Sequence, residues 1–306
     1  MLQHQIIYFL GATDGKGEVI KINGKCISDL LSGKNFQDEN FPVASFIIKK
    51  KIKKTIRLFY SFARMADDIA DSNKISSKNK LMILNFFDDS IKNEKTSDIS
   101  ILNGLIDQNK EKKFSKQYSR NLLTAFKLDA TKKRYKNWGE LENYCKYSAN
   151  PVGRFFIDLT YSEKNKKLNN KYEIFSSSDN LCTALQIINH LQDCQEDYTK
   201  LNRVYLPISY FDKYGIKINI LKEKKSSEKF DKLKKEVVSN VEKLLENLEQ
   251  NLKKIEVWGL RKETLIILNI AKRLCFLLKR KDPLEKKIKL SRIDLIFCFI
   301  KGIILD

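Results

Sequence analysis

The sequence predicts an all-α protein, built as a single helical bundle, and three observations support this. Apolar residues recur at helical spacing along most of the chain. Gly and Pro are scarce, with 11 and 4 among 306 residues, which disfavours β-rich folds that need many tight turns. The length fits one large domain or two small ones, and no linker separates two parts. We therefore expect one domain with a sizeable core.

The first 34 residues differ in composition from the rest, because five of the 11 Gly lie there. A short hairpin around Lys16-Gly17 or Asn23-Gly24 fits the turn chemistry of Gly. We therefore divide the chain into an N-terminal extension, residues 1–34, and a helical domain, residues 35–306. A flexible extension and an upstream start that the mature protein lacks are both compatible with this stretch.

Helices follow one another along the domain, beginning with a short one at 38–42, where a proline lies in the first turn. The helix over 138–161 should kink at Pro151, because proline removes one backbone hydrogen bond and clashes one turn back. Asp282-Pro283 should stop a later helix. The remaining predicted helices cover about 51–71, 77–93, 98–109, 115–128, 177–198, 225–256, 260–280 and 291–304.

The last predicted helix, 291–304, is short and mostly apolar. The pattern favours packing against the bundle. The alternative is that this helix dips into a membrane interface, as amphipathic surface helices do.

Two stretches carry polar stripes on otherwise apolar helices. The first stripe, in steps of four, three and four residues, is Tyr60, Arg64, Asp67 and Asp71. The second, in steps of three, four and four, is Gln186, Asn189, Asp193 and Asp197. At 3.6 residues per turn, each set lies along one helix face. Acids on a largely buried helix are costly unless a cation lies against them.

If the two stripes face each other, divalent cations would relieve the repulsion between their carboxylates. Magnesium prefers oxygen ligands and typically takes one or two carboxylates together with phosphate oxygens of a substrate. We therefore predict two or three Mg²⁺ ions that bridge the protein to a diphosphate. The candidate ligands are Asp67, Asp68, Asp71, Asn189, Asp193 and Asp197. The alternative, two surface helices with solvated acids, is disfavoured by the matching stripes.

Positive charge accompanies these acids. Arg64 would add a fixed charge for the same diphosphate. Arg203 and Tyr205 follow the end of the second stripe, and the planar guanidinium of Arg203 matches phosphate oxygens.

These motifs resemble the squalene/phytoene synthase family of class I isoprenoid synthases. The resemblance is carried by YSFAR at 60–64 with DDIAD at 67–71, and by LQIINHLQDCQED at 185–197 with RVYLP at 203–207. DENFPVAS at 38–45 and SANPVGR at 148–154 are similar to the bacterial hydroxysqualene synthase branch of the hopanoid pathway. The resemblance covers roughly residues 36–290 and implies a helical bundle with a central active-site cavity.

The resemblance also implies roles for individual residues. The catalytic group would be Arg64, Asp67, Asp71, Asp193 and Asp197. The diphosphate would be held by Tyr60, Arg64, Arg203, Tyr205 and Ser45. An isoprenoid tunnel would be lined by Phe46, Tyr144, Val152, Gly153 and Gln186. For the helix at Ser45, plain packing is the alternative, and for Gly153 it is close helix–helix contact.

The implied reaction is Mg²⁺-assisted ionisation of a prenyl diphosphate. In the branch that the chain resembles, presqualene diphosphate and water give hydroxysqualene and diphosphate. We expect no NAD(P)H, and the sequence has no GxGxxG fingerprint. The alternatives are an enzyme that joins two farnesyl diphosphates to presqualene diphosphate, an enzyme that makes squalene or phytoene, and a non-catalytic lipid-binding or assembly factor of the same fold.

Composition excludes several other classes. The net charge is +20, but lysines spread over the chain without interleaved aromatics, so we expect no nucleic-acid partner. Contact with an anionic membrane surface stays open. Six Cys form no CxxC pair, which is typical of reduced cytoplasmic thiols. With no basic n-region before residues 5–10 and no apolar run of about 18 residues, we expect a cytoplasmic protein, with peripheral contact at the inner membrane face as an option.

Overall fold

The computed structural model describes residues 21–22, 25–26, 50–112 and 115–304. Two short strands, β1 (Lys21–Ile22) and β2 (Lys25–Cys26), pair antiparallel, with Lys21 opposite Cys26. This pairing brackets Asn23-Gly24, one of the two places at which the sequence predicts a hairpin. The short helix predicted at 38–42 lies outside the described residues.

The rest of the described chain is helical, apart from its connections. The first helices are α1 (Lys50–Asp71), α2 (Ser77–Asn93), α3 (Ser100–Glu111), α4 (Ser115–Thr131), α5 (Trp138–Ser148), α6 (Asn150–Glu163) and α7 (Lys171–Gln192). They are followed by α8 (Cys194–Leu201), α9 (Ile208–Lys213), a 3-10 helix (Ile218–Lys222), α10 (Glu228–Leu245), α11 (Leu248–Leu252), α12 (Trp258–Arg280) and α13 (Arg292–Ile304).

Two apolar clusters form the core, and α6 contributes to both. The first cluster joins α1 to α4 with one face of α6, where the rings of Phe59 and Phe155 stack at 4.0 Å. The second surrounds α7, with α5, α10 and α12 packed on it. Ile157 and Tyr161 of α6 belong to this second cluster. The two motif helices, α1 and α7, therefore lie in different clusters that meet at α6.

The predicted kinked helix over 138–161 is two helices. α5 ends at Ser148, and Ala149 departs from helical geometry with φ −120° and ψ −49°. Pro151 then lies in the first turn of α6, where its missing N–H would have no helical partner in any case. Proline therefore starts a helix here instead of bending one.

The second motif helix also differs from the prediction, which began it near Ser177. α7 begins at Lys171, after Asn170 adopts a left-handed conformation with φ 51°. It is interrupted at Asp193, whose φ and ψ are −108° and 10°. The amide of Asp193 still donates to the Asn189 carbonyl at 2.9 Å, and its carbonyl accepts from Asp197 at 2.8 Å. The helical course into α8 is thus continued across the interruption.

The predicted helix over 225–256 is likewise divided, into α10 and α11, because Asn247 adopts φ 57° between them. The apolar positions of α10 form a buried stripe, Phe230, Leu233, Val237 and Val241.

Helix α13 packs along α12, as the sequence favoured. A Cβ on Gly302 would lie 2.7 Å from the backbone nitrogen of Ile266, so only glycine allows this close approach. The opposite face of α13 exposes Ile293, Ile296, Phe297, Ile300 and Ile304. In the described part of the chain, no helix combines the length and apolarity needed to cross a membrane.

Candidate active site

The first acidic cluster lies in the last two turns of α1. Asp67 and Asp68 are buried, and Asp71 is about one-third exposed. Arg64 binds Asp68 at 2.9 Å across one helical turn. Lys80, on α2, donates to the carbonyl of Ala70 at 2.8 Å, which satisfies one of the carbonyls that the end of a helix leaves without a partner.

The second acidic cluster lies where α7 passes into α8. Asn189, Asp193 and Asp197 are buried there, with the carboxylates of Asp193 and Asp197 only 2% exposed. Lys287, in the segment after α12, binds Asp193 Oδ1 at 2.6 Å. Both carboxylate oxygens of Asp197 lack a hydrogen-bond partner. His190 lies 3.8 Å away, and burial lowers its pKa well below its ordinary value, so it brings no charge.

Arg203 links the two clusters, and its contact with the second is a backbone bond, in which its amide donates to the carbonyl of Asp197 at 3.0 Å. One guanidinium nitrogen, Nη1, donates to Asp71 at 2.9 Å and to the Tyr205 hydroxyl at 3.0 Å. The other, Nη2, donates to the carbonyl of Asp129 at 2.8 Å. Backbone bonds hold this segment in place, because the amide of Val204 donates to the Lys133 carbonyl at 2.9 Å. The end of α1 is thereby tied to a segment that follows α8.

Asp129, on α4, is a site residue that the sequence analysis missed. The hydroxyl of Tyr205 donates to its Oδ1 at 2.7 Å, and that of Tyr144 to its Oδ2 at 2.8 Å. The signal was an acid at i+7 from Leu122 and i+3 from Phe126, on a stripe that is otherwise buried and apolar. An acid on such a stripe indicates a partnered internal carboxylate.

The two clusters have strongly perturbed acids. Burial, reinforced by Asp71, raises the pKa of Asp67 to about 7. Burial also raises the pKa of Asp197 well above its ordinary value, with the negative charges of Asp193 and Asp71 adding to the shift. Asp71 is therefore near enough to the second cluster to act on it. Both acids would be stabilised as carboxylates by an added cation.

The donor set fits magnesium. It offers carboxylate and amide oxygens, and Asp197 in particular has two buried oxygens without donors. Among the described residues, no three His, Cys, Asp or Glu side chains are grouped closely enough to hold a metal by themselves. Magnesium does not require such a group, since it usually binds one or two carboxylates together with substrate phosphates and water.

The predicted tunnel residues are spread over the interior. Tyr144 lies in the Asp129 network, and Gln186 contacts His190, Nε2 to Nε2, at 3.1 Å. Val152 is buried in the first core cluster. Gly153 lines a cavity between α6, α7 and α12, and a Cβ there would lie 2.7 Å from the Cys182 sulfur. Gly153 thus both allows close contact between α6 and α7 and lines the cavity. Ser45 and Phe46 lie outside the described residues.

The helical bundle and its two acidic clusters, one on each motif helix, define a class I isoprenoid synthase. The family model for squalene/phytoene synthase matches residues 35–294, and the chain belongs to that family. Hydroxysqualene synthase of Sinorhizobium fredii is 36% identical, over 85% of this chain and 86% of that protein. The same-named protein of Rhodopseudomonas palustris is 37% identical, over 88% and 89%.

Solved structures show the same fold. The squalene synthase HpnC of Alicyclobacillus acidocaldarius superposes with a TM-score of 0.68 at 20% identity, covering 83% of this chain and 92% of that one. A dehydrosqualene synthase in complex with ligand gives 0.69 at 21% identity, covering 84% and 87%. The all-α prediction and the family resemblance are confirmed by these findings, and the chain is an isoprenoid synthase.

Proposed function

We propose that this enzyme converts presqualene diphosphate and water to hydroxysqualene and diphosphate. The observation that carries the proposal is the pair of buried acidic clusters, in which burial raises the pKa of Asp67 and of Asp197 and both oxygens of Asp197 lack a hydrogen-bond donor. The reaction within the family is suggested by relatives named hydroxysqualene synthase, at 36% and 37% identity over most of both chains.

Substrate binding is proposed to use both clusters. Asp67, Asp68 and Asp71 on one side, and Asn189, Asp193 and Asp197 on the other, would hold two or three Mg²⁺ ions. When bound, magnesium neutralises charge on a diphosphate leaving group. The diphosphate itself is proposed to contact Tyr60, Arg64, Arg203, Tyr205 and Ser45.

The arginines supply fixed positive charge where negative charge develops as the carbon–oxygen bond to diphosphate breaks. Arg203 is oriented for this before substrate arrives, because Asp71 and the Asp129 carbonyl hold its two nitrogens. Asp129 in turn is fixed by Tyr144 and Tyr205. A preorganised charge of this kind needs little rearrangement during the reaction.

The carbon cation formed by ionisation must be shielded from stray water. We propose that the tunnel residues, Phe46, Tyr144, Val152, Gly153 and Gln186, enclose the isoprenoid chains. One water then captures the rearranged cation, so that no nicotinamide is needed.

We also propose that the exposed face of α13 contacts an anionic membrane surface. Its apolar stripe, with Ile293 78% and Phe297 61% exposed, suits insertion at the lipid interface, and a net charge of +20 favours anionic headgroups. Phe297→Ser should weaken sedimentation with phosphatidylglycerol vesicles severalfold, whereas Phe86→Ser, at an exposed site on α2, should not. Equal sedimentation of both variants would reject this surface.

Product analysis tests the reaction. Purified protein and Mg²⁺ would be incubated separately with farnesyl diphosphate and presqualene diphosphate, without reductant, and the lipids identified. Hydroxysqualene from presqualene diphosphate alone is the expected result. Presqualene diphosphate formed from farnesyl diphosphate would assign the chain to the condensing enzymes of its family.

A further inference from the structure

A parallel backbone bridge joins the segment after α4 to the segment after α8. Arg134 pairs with Val204 in this bridge, and the amide of Val204 donates to the Lys133 carbonyl at 2.9 Å. The register of this pairing places Lys133 beside Arg203. Neighbouring extended segments lie about 4.8 Å apart, and their side chains alternate between two faces. Lys133 and Arg203 therefore project from the same face of the bridge.

The aromatic rings of the same two segments support this register. One residue beyond the bridge, Tyr135 lies beside Tyr205, and their rings stack at 5.4 Å. Because every second side chain of an extended segment faces the same way, these rings lie on the face that carries Lys133 and Arg203. The hydroxyl of Tyr205 accepts from Arg203 Nη1 at 3.0 Å, and the same nitrogen donates to Asp71 at 2.9 Å. This face is therefore turned toward the first acidic cluster.

Lys133 differs from Arg203 in having no bonded partner. Its side chain is partly buried, yet its ammonium forms no hydrogen bond or ion pair with the described residues. Burial lowers its pKa, and so does the positive charge of Arg203, so the two like charges lie close together. Lys80, on α2, is a further cation in this place, because burial and then the charge of Lys133 lower the pKa of Lys80 to about 8.

This group of cations suits an anion. Arg203 already binds Asp71, and Lys80 is bound to the Ala70 carbonyl, so Lys133 is the cation with its donors still available. Repulsion between the ammonium of Lys133 and the guanidinium of Arg203 is relieved when an anion contacts both. Phosphate oxygens accept hydrogen bonds from either group. The diphosphate that is proposed to contact Arg203 would therefore come within reach of Lys133.

The two cations lie at different depths. Arg203 is 3% exposed, whereas Lys133 is only partly buried. A prenyl diphosphate directs its hydrocarbon into the apolar interior, so the phosphate that is bonded to carbon is the deeper one. The terminal phosphate, which has no carbon attached, then lies nearer to solvent and to Lys133.

We propose that Lys133 is a further diphosphate-binding residue of this enzyme, and that it holds the terminal phosphate of the substrate and of the released diphosphate. The inference rests on the proposed function. Because this phosphate is not bonded to the reacting carbon, the contact is about as strong before ionisation as during it. Lys133 therefore contributes to the binding of substrate and product, and little to kcat.

Calorimetric titration of the full chain with inorganic diphosphate, at saturating Mg²⁺, tests this site without turnover. Lys133→Met removes the ammonium, Lys133→Arg keeps a cation, and Lys136→Met removes the same charge at an exposed position of the same segment. Loss of a hydrogen bond between charged groups should weaken diphosphate binding about tenfold in Lys133→Met. Lys133→Arg should bind diphosphate more tightly than Lys133→Met, and Lys136→Met should bind it as the wild type does.

Kinetics and inhibition locate the contact. With presqualene diphosphate, Lys133→Met should raise KM about tenfold and change kcat less than about twofold. Farnesyl monophosphate lacks a terminal phosphate, so its inhibition constant should change little in Lys133→Met. An equal weakening of monophosphate and diphosphate would overturn the assignment to the terminal phosphate, and a fall in kcat with unchanged KM would overturn the binding role.

Thermal melting separates binding from a structural role. Since the ammonium has no bonded partner and lies beside Arg203, Lys133→Met should melt at the wild-type temperature or above it. Wild-type affinity for diphosphate in Lys133→Met overturns the inference, and so does an equal loss of affinity in Lys136→Met. If the wild type itself does not bind diphosphate with Mg²⁺, the proposed function fails, and that outcome is seen before any variant is compared.

Discussion

The two acidic clusters differ in how their charge is compensated. In the first, Asp68 has Arg64 and Asp71 has Arg203, each at 2.9 Å, and the helix is regular. In the second, the helix is interrupted at Asp193, which has Lys287 at 2.6 Å. Asp197 has no hydrogen-bond donor at all within the described structure.

This difference indicates that the two clusters are preorganised to different degrees for binding cations and diphosphate. The first is held by arginines, whose planar charge is suited to remain in place when phosphate arrives. The second cluster has excess negative charge, because Asp197 has no donor. Its cation is Lys287, a lysine whose side chain is 40% exposed. We infer that cation binding changes the second cluster more than the first.

The largest expected effect comes from removing one acid of either cluster. Asp67→Ala and Asp193→Ala should each lower turnover at least about a thousandfold, because charge stabilisation at the leaving group is lost. Folding should persist, since both acids are poorly stabilised where they lie. Steady-state kinetics and circular dichroism check this, with Asp89→Ala, on the exposed surface of α2, as control. Wild-type-like rates in either variant would refute the metal assignment.

The next largest effect concerns pH, because the titration of Asp67 in the first cluster should appear in both activity and stability. With a folded pKa of about 7, Asp67 is protonated below that value, and activity at low Mg²⁺ should rise up to about tenfold per pH unit toward pH 7. The sign for stability is opposite. The folded pKa lies above the unfolded value, so metal-free protein should lose stability as the pH rises from about 4 to 7. Melting curves in EDTA check this, and Asp67→Asn should remove that part of the slope.

A smaller effect should follow from disturbing the tie between the clusters. Asp129→Asn weakens the bonds from Tyr144 and Tyr205 and leaves Arg203 with less negative charge. We expect the free energy of unfolding to fall by about 2 kcal/mol. Urea denaturation measures it, with Asp107→Asn, at a site 72% exposed, as control. A change below about 0.5 kcal/mol would contradict a structural role for this network.

The smallest expected effect comes from replacing Lys287, the lysine that binds Asp193 in the second cluster. Lys287→Met removes the cation that competes for Asp193, so the Mg²⁺ concentration for half-maximal rate should fall about threefold. Titration of activity with Mg²⁺ measures this, and Lys286→Met, at an exposed neighbour, should behave as wild type. A higher Mg²⁺ requirement in Lys287→Met would show that the lysine assists binding instead.

Local patterns were enough to predict much of this molecule. α1 and α2 begin and end within one residue of the prediction, because their apolar stripes and the Ser76 cap are encoded locally. The interruptions at Ala149, Asp193 and Asn247 were not predicted, since backbone conformation there depends on neighbouring helices. Asp129 and Lys287 were missed for a related reason. Their partners lie 76 and 94 residues away, at Tyr205 and Asp193. Helical spacing can mark Asp129 as a buried acid, but it cannot identify a partner so distant in the sequence.

The bonds of Arg203 bear on how the native protein opens. Its guanidinium joins the last turn of α1, the end of α4 and the segment after α8, and the bond to Asp71 spans 132 residues of sequence. Releasing any one of the three would leave a buried charge without its partner, which costs several kcal/mol. We therefore expect these three segments to open as one cooperative unit in native-state hydrogen exchange. The backbone amides of the three segments should become accessible to solvent together, so that neither acidic cluster unfolds locally while the other stays native.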